Sequence, residues 1–151
     1  AKLIESIATA GHRNVSNTNL NAHRTGWRMW EDGQPHAEVY RELCEVACQL
    51  AKDQSPNIEW QPMVTAIWGA IYEQKDFARP HDHWPSTWSF VYFVDVGLSP
   101  SPLVFPNAQR AINPNNSMLC LFPGWVLHEV PPQKSNSRRV MVAGNISPKT
   151  Q

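Results

Sequence analysis

At 151 residues the chain is long enough for one substantial core. Thirteen Lys and Arg against thirteen Asp and Glu leave no net charge, which argues against a phosphate-tracking surface and so against a nucleic-acid partner. A hydrophobic content of 42% excludes a disordered chain, and the longest near-apolar run, around Trp88–Val94, falls far short of the roughly 20 residues that span a bilayer.

AKLIESIATA at the start puts Leu3, Ile4 and Ile7 at helical spacing, predicting a short helix. Residues 11–25 (GHRNVSNTNLNAHRT) are polar and turn-rich and read as a loop. In residues 36–52, Val39, Tyr40, Leu43, Val46, Ala47, Leu50 and Ala51 form one apolar stripe, with Pro35 as a first-turn residue and Ser55-Pro56 as the stop. That stripe needs a sheet to cover. After Trp60 the texture changes to short β-branched and aromatic runs between Pro, Gly, Asn and Ser clusters: PMVTAIWGAIY, RPHDHW, WSFVYFVDV, PLVF, RAI, SMLCLF, WVLHEV and RRVMVAGNI. Seven or eight strands at that spacing predict a sandwich or barrel. The expected architecture is mainly β, a jelly roll with N-terminal helices packed on one sheet. Residues 1–151 form a single domain on this reading, 1–59 being a helical support and 60–147 the jelly-roll core. Three cysteines with no CxxC pair read as buried free thiols, which fits a reducing, cytoplasmic setting, and no basic-then-apolar leader opens the chain.

Of six histidines, His12, His23 and His36 are isolated in polar or helix-start contexts. His81 and His83 form an H-x-H step, and a strand's period of two puts both imidazoles on one face. His128 follows forty-five residues after His83, room for the chain to cross to the opposite sheet and return beside the second strand. Two ligands from one strand and a third from a distant one can occupy one triangular face of an octahedral metal, leaving three positions open, as in non-haem Fe(II) oxygenases. Arg139 follows eleven residues on; either it or Arg138 points into the sandwich, or both are surface residues at a hairpin end. A buried guanidinium requires a carboxylate partner, so a small acid ligand is implied. Parity alone does not choose between the two arginines.

The stretch IWGAIYEQKDFARPHDHWPSTWSFVYFV, then SPLVF, then SMLCLFPGWVLHEVPPQKSNSRRVMVAGNI, resembles the Fe(II)/2-oxoglutarate-dependent oxygenases. It is similar to a small subgroup with the pattern W-x3-Y, PHxHxxxxxS, LxF, lFPxxxxHxV and RxxxxxN, over about residues 67–146. The resemblance implies a double-stranded β-helix, with His81, His83 and His128 as catalytic metal ligands. His83 stands where most of the superfamily has a carboxylate, and Asp82 is the alternative third ligand. Arg139, rather than Arg138, matches the arginine that holds the far carboxylate of 2-oxoglutarate, and Tyr72 matches a tyrosine lining the cosubstrate pocket. Asn145 matches the terminal Asn of the pattern. Phe93 replaces a tyrosine common in relatives, and Met141 a serine.

The implied cofactors are Fe(II), 2-oxoglutarate as cosubstrate, and dioxygen. The implied activity is hydroxylation of a small-molecule or peptide substrate, coupled to oxidative decarboxylation of 2-oxoglutarate. Neither a membrane nor a nucleic acid is expected as partner. Trp84 and Trp88, just beyond the H-x-H step, either stack on the substrate or cap the core. Two other readings stand: a three-histidine dioxygenase without 2-oxoglutarate, and a non-enzymatic jelly-roll binding module.

Overall fold

The computed structural model describes residues 1–14 and 19–150. Two helices come from the apolar stripes. Helix α1 (Lys2–Ala10) buries Leu3 and Ile7, and α2 (Ala37–Asp53) buries Ala37, Tyr40, Ala47 and Ala51. The α2 stripe is rotated from the expected one. Val46 is exposed, while Cys44 and Cys48 lie half-buried on the packed side, as free thiols. Pro35 lies outside the helix, which begins behind His36 in a left-handed conformation at φ 58°.

Among the described residues ten strands follow: β1 (His12–Asn14), β2 (Leu20–Arg24), β3 (Pro62–Tyr72), β4 (Phe77–His81), β5 (Trp88–Asp95), β6 (Leu103–Phe105), β7 (Arg110–Ile112), β8 (Leu119–Pro123), β9 (His128–Val130) and β10 (Arg139–Pro148). They form one curled sheet in the order β7-β6-β9-β4-β2-β3-β10-β5-β8, with β1 paired to β2. Every pairing between these strands is antiparallel. This is a jelly roll with helices on one sheet.

The loop expected over residues 11–25 is corrected, apart from 15–18, which lie outside the described residues. Strand β2 carries the roll around its corner. Leu20 and Asn21 pair with β4, whereas His23 and Arg24 pair with β3. Its polar composition hid it because only Leu20 and Ala22 contribute apolar side chains to the inner core. Two further strands are shorter than expected. Strand β4 ends at His81, so His83 lies beyond it, and β9 begins at His128, so Val126 belongs to the preceding turn.

Strand β10 sits between β3 and β5 and is buried on both faces, which accounts for its continuous apolar run. One set of side chains, with Trp68, Tyr72, Phe93, Met141 and Ala143, fills the space between the two halves of the roll. The other, with Ile67, Ile71, Phe90, Val140 and Val142, meets α1 and α2. Trp88 belongs to this outer layer, on the helix side and away from the inner core. No described helix is long and apolar enough to cross a membrane.

Helix α1 lies so close to β3 that a Cβ on Gly69 would stand 2.2 Å from Ile7 Cγ1 and 2.5 Å from its Cδ1. Ile7 is fully buried. Gly69→Ala is therefore expected to lower unfolding stability by about 1–3 kcal/mol through overpacking, read as a fall in the urea midpoint. Adding Ile7→Ala to Gly69→Ala should show a favourable coupling, since the two changes share one contact.

Candidate active site

Three imidazoles meet at one end of the roll. His81 and His128 are directly opposed across the β4–β9 pairing. Ala78, also on β4, faces the inner core opposite Val130, and three residues further on a regular strand would turn His81 outward. The register shifts by one between these two pairs, and the extra residue returns His81 to the inner side. Pro80 lies in this irregular step, where a residue without a backbone N–H is tolerated.

His83 reaches the same point from outside the strand. Its backbone N–H donates to the Gly124 carbonyl at 2.7 Å, which ties the turn after β4 to the turn before β9. The possible ligand atoms of the three side chains all lie within 4.8 Å of one another. Asp82, by contrast, is exposed, and its carboxylate accepts the Trp84 backbone N–H at 3.0 Å. The structure thus brings His83 rather than Asp82 into the imidazole cluster.

Two rings have their tautomer decided by a carbonyl, which can only accept. His81 Nδ1 donates to the Arg79 carbonyl at 2.6 Å, and His128 Nδ1 donates to the Val126 carbonyl at 3.0 Å. Nε2 of each is then the lone-pair nitrogen. Burial, reinforced by the neighbouring imidazoles His128 and His81, pushes His83 down to about 3. Burial and His81 push His128 down to about 4. The chemistry of this donor set, three imidazoles converging with two of them oriented by backbone carbonyls, fits a first-row transition metal.

The same cavity, of about 350 Å³, is lined by His81, His83, His128, Tyr72 and Arg139. Arg139 is only 1% exposed, directly opposite Tyr72 in the β3–β10 ladder. Its Nη1 donates to the Ser101 carbonyl at 3.2 Å, and Nε is buried without a partner. The guanidinium carbon lies 5.2 Å from the Tyr72 ring centroid and 5.1 Å from that of Phe93. No acidic side chain of the described residues pairs with it, although six other cation–carboxylate contacts involving Lys or Arg form elsewhere. Arg138, one residue earlier, is exposed and reaches Asp95 at 3.8 Å. Burial lowers the Arg139 pKa, but a guanidinium remains charged throughout the physiological range. Burial also raises the Tyr72 phenol to about 12, against the pull of Arg139, so it is a neutral donor.

Solved structures match the fold, while no protein-family model and no curated protein matches the sequence. A viral collagen prolyl hydroxylase from Paramecium bursaria Chlorella virus-1, in its 2-oxoglutarate complex, superposes with a TM-score of 0.69 at 14% identity, over 97% of this chain and 91% of that one. An oxidoreductase of the 2-oxoglutarate–Fe(II) oxygenase family from Burkholderia pseudomallei gives 0.73 at 13% identity, over 95% and 76%. A Trichoplax adhaerens prolyl hydroxylase, solved with a peptide fragment of the hypoxia inducible factor oxygen degradation domain, gives 0.66 at 17%, over 95% and 76%. The fold is that of the 2-oxoglutarate–Fe(II) oxygenases.

Gln133 and Ser101 were not singled out by sequence pattern, whereas Trp68, Ser89 and Asn145 stand in the quoted pattern with no role assigned to them. Gln133, 1% exposed, accepts the Ser101 N–H through Oε1 at 2.9 Å and donates through Nε2 to the Ser137 carbonyl at 3.1 Å, so it holds the carbonyl that Arg139 uses. Ser89 Oγ donates to Asn145 Oδ1 at 2.9 Å along the cavity wall. Trp68 lies 5.8 Å from His83, ring centroid to centroid. Trp84 is 74% exposed beside His83, whereas Trp88 faces the helices, so only the first of these two tryptophans is free to meet a substrate.

The depressed imidazoles dictate an acid response. An unfolded chain takes up protons on His83 and His128 near pH 6.5, but the metal-free native state does so only near 3 and 4. Stability contributed by keeping them neutral is complete above about pH 6.5 and declines as pH falls toward the folded values. The urea midpoint of chelator-treated protein should therefore drop between about pH 7 and 5, above the carboxylate range. His83→Gln should flatten that drop.

Proposed function

We propose that this protein is an Fe(II)- and 2-oxoglutarate-dependent oxygenase, a hydroxylase of a small-molecule or peptide substrate that uses dioxygen. One observation carries the reading: three imidazoles and a buried guanidinium without a carboxylate partner line a single cavity. On this proposal His81, His83 and His128 hold the metal, with Nε2 of His81 and His128 presented by their Nδ1–carbonyl hydrogen bonds. Bound iron would supply the redox chemistry that couples decarboxylation of 2-oxoglutarate to oxidation of a C–H bond.

The protein's own contribution is binding and orientation. Arg139 would take the far carboxylate through its planar fork, relieving the burial of an uncompensated charge. Tyr72, stacked against that fork and protonated, would line the cosubstrate beside it. Apolar walls from Leu103, Val130 and Met141 keep water away from the reacting end. A cavity of about 350 Å³ lies at the low end of the roughly 300–1,000 Å³ of small-molecule sites, so a peptide substrate would insert one side chain. The Trichoplax neighbour, solved with a peptide fragment, supports a peptide as substrate.

A three-histidine dioxygenase that binds its substrate directly is favoured by the third imidazole, yet it leaves Arg139 without a partner. Anaerobic titration of the iron-loaded protein with 2-oxoglutarate separates the two. A visible charge-transfer band should grow to saturation if the keto acid chelates, and no band should appear if it does not. His128→Ala is expected to abolish iron binding while the far-ultraviolet circular dichroism stays unchanged; full iron stoichiometry in that variant would exclude His128 as a ligand.

Arg139→Ala should raise the 2-oxoglutarate concentration for half-maximal succinate formation by about 100-fold or more. This follows from the ~3–5 kcal/mol attached to removing one partner of a buried pair. Arg138→Ala should change it little. Equal effects would mean that Arg139 does not meet the carboxylate.

A further inference from the structure

A second guanidinium faces the same cavity and has no assigned role. Along β2 the side chains of Leu20, Ala22 and Arg24 share one side, and Ala22 is fully buried in the inner core. Arg24 pairs with Ala70 of β3, which pairs on its other side with Met141 of β10, while Tyr72 pairs with Arg139. Arg24 thus stands one inward-facing step along the ladder from Arg139 and two strands across. Two strand spacings separate their backbones by about 10 Å.

The surroundings of Arg24 are those of a waiting binding group. Its guanidinium carbon lies 3.9 Å from the centroid of the Trp27 ring, so the indole covers one face and leaves the hydrogen-bonding edge. Trp27 packs edge-on against Trp68 at 4.8 Å, and Trp68 in turn lies against His83, joining this position to the imidazole cluster. Nη1 of Arg24 is buried without a hydrogen-bond partner, and no acidic side chain of the described residues pairs with the residue. Arg28 makes the contrast. It is exposed, and its Nε meets Glu31 at 3.0 Å. Asp76 is already taken by Arg13.

We propose that Arg24, held flat by Trp27, is a specificity-determining oxyanion site at the cavity rim, and that the primary substrate carries a carboxylate or phosphate there. The inference rests on the oxygenase reading for the word substrate, but the anion site itself does not. A guanidinium edge donates two parallel hydrogen bonds to either group. Trp27 is half-exposed, which places the site where an entering molecule would meet it.

The test uses the full chain loaded with Zn(II) in place of iron and saturated with 2-oxoglutarate. Benzoate, inorganic phosphate and neutral benzamide are titrated against the Trp27 indole N–H resonance, assigned with Trp27→Phe. Benzoate or phosphate should shift that resonance saturably and benzamide should not, the tighter anion naming the group on the substrate. Arg24→Gln should weaken the anion at least about tenfold, and Arg24→Lys, which keeps the charge, should retain part of the response. Unchanged affinity in Arg24→Gln, or a response that vanishes once 2-oxoglutarate is bound, overturns the proposal. If 2-oxoglutarate fails to bind while the Arg24-dependent response persists, the oxygenase reading falls and the anion site stands. If 2-oxoglutarate binds and no Arg24-dependent response appears, only the anion site falls.

Discussion

A positive charge sealed inside a β-roll without a counter-ion is the constraint on which the site depends. Arg139 meets one carbonyl and two aromatic rings, and nothing among the described residues neutralises it. Such a group is destabilising in an empty protein and becomes favourable only when an anion arrives. The fold nevertheless invests in its position. Strand β10, buried on both faces, presents it inward, and Gln133 and Ser101 hold the carbonyl that orients it. Stability given up at one point in this way is a common mark of a binding site.

The imidazole end uses the opposite electrostatics. There His83 and His128 are kept neutral by burial and by the neighbouring imidazoles, which leaves their lone pairs available to a cation. One cavity therefore has a cation-seeking end and an anion-seeking end. A small acid that also chelates would satisfy both at once, and few other classes of ligand would.

The solved structures of similar shape share only 13–17% of their residues with this chain in the three comparisons described. A roll of this kind is specified by which positions are buried rather than by which residue fills them, so shape persists when identity does not. Function has to be argued from the residues facing the cavity. Here those include Arg24 and Trp27, which come from a segment with no resemblance to the oxygenase pattern.

Local pattern accounted for α1, for α2 to within a rotation of its stripe, and for most strands after Trp60, because apolar periodicity reports directly which face is buried. Strand β2 was invisible: a strand that turns a corner pairs half with one neighbour and half with another, and shows too few buried positions for alternation to register. The histidines and Arg139 were legible as residue types and as a spaced pattern. Their convergence was not. The one-residue shift at Pro80 turns His81 inward, the Gly124 carbonyl draws His83 in from beyond the strand, and pairing with β4 brings His128 across. The sequence by itself determined which chemical groups are available and that they belong to a β-roll. Only the tertiary structure decided that they share a cavity, because register shifts and turn-to-turn hydrogen bonds join segments far apart in the chain and leave no local periodicity to read.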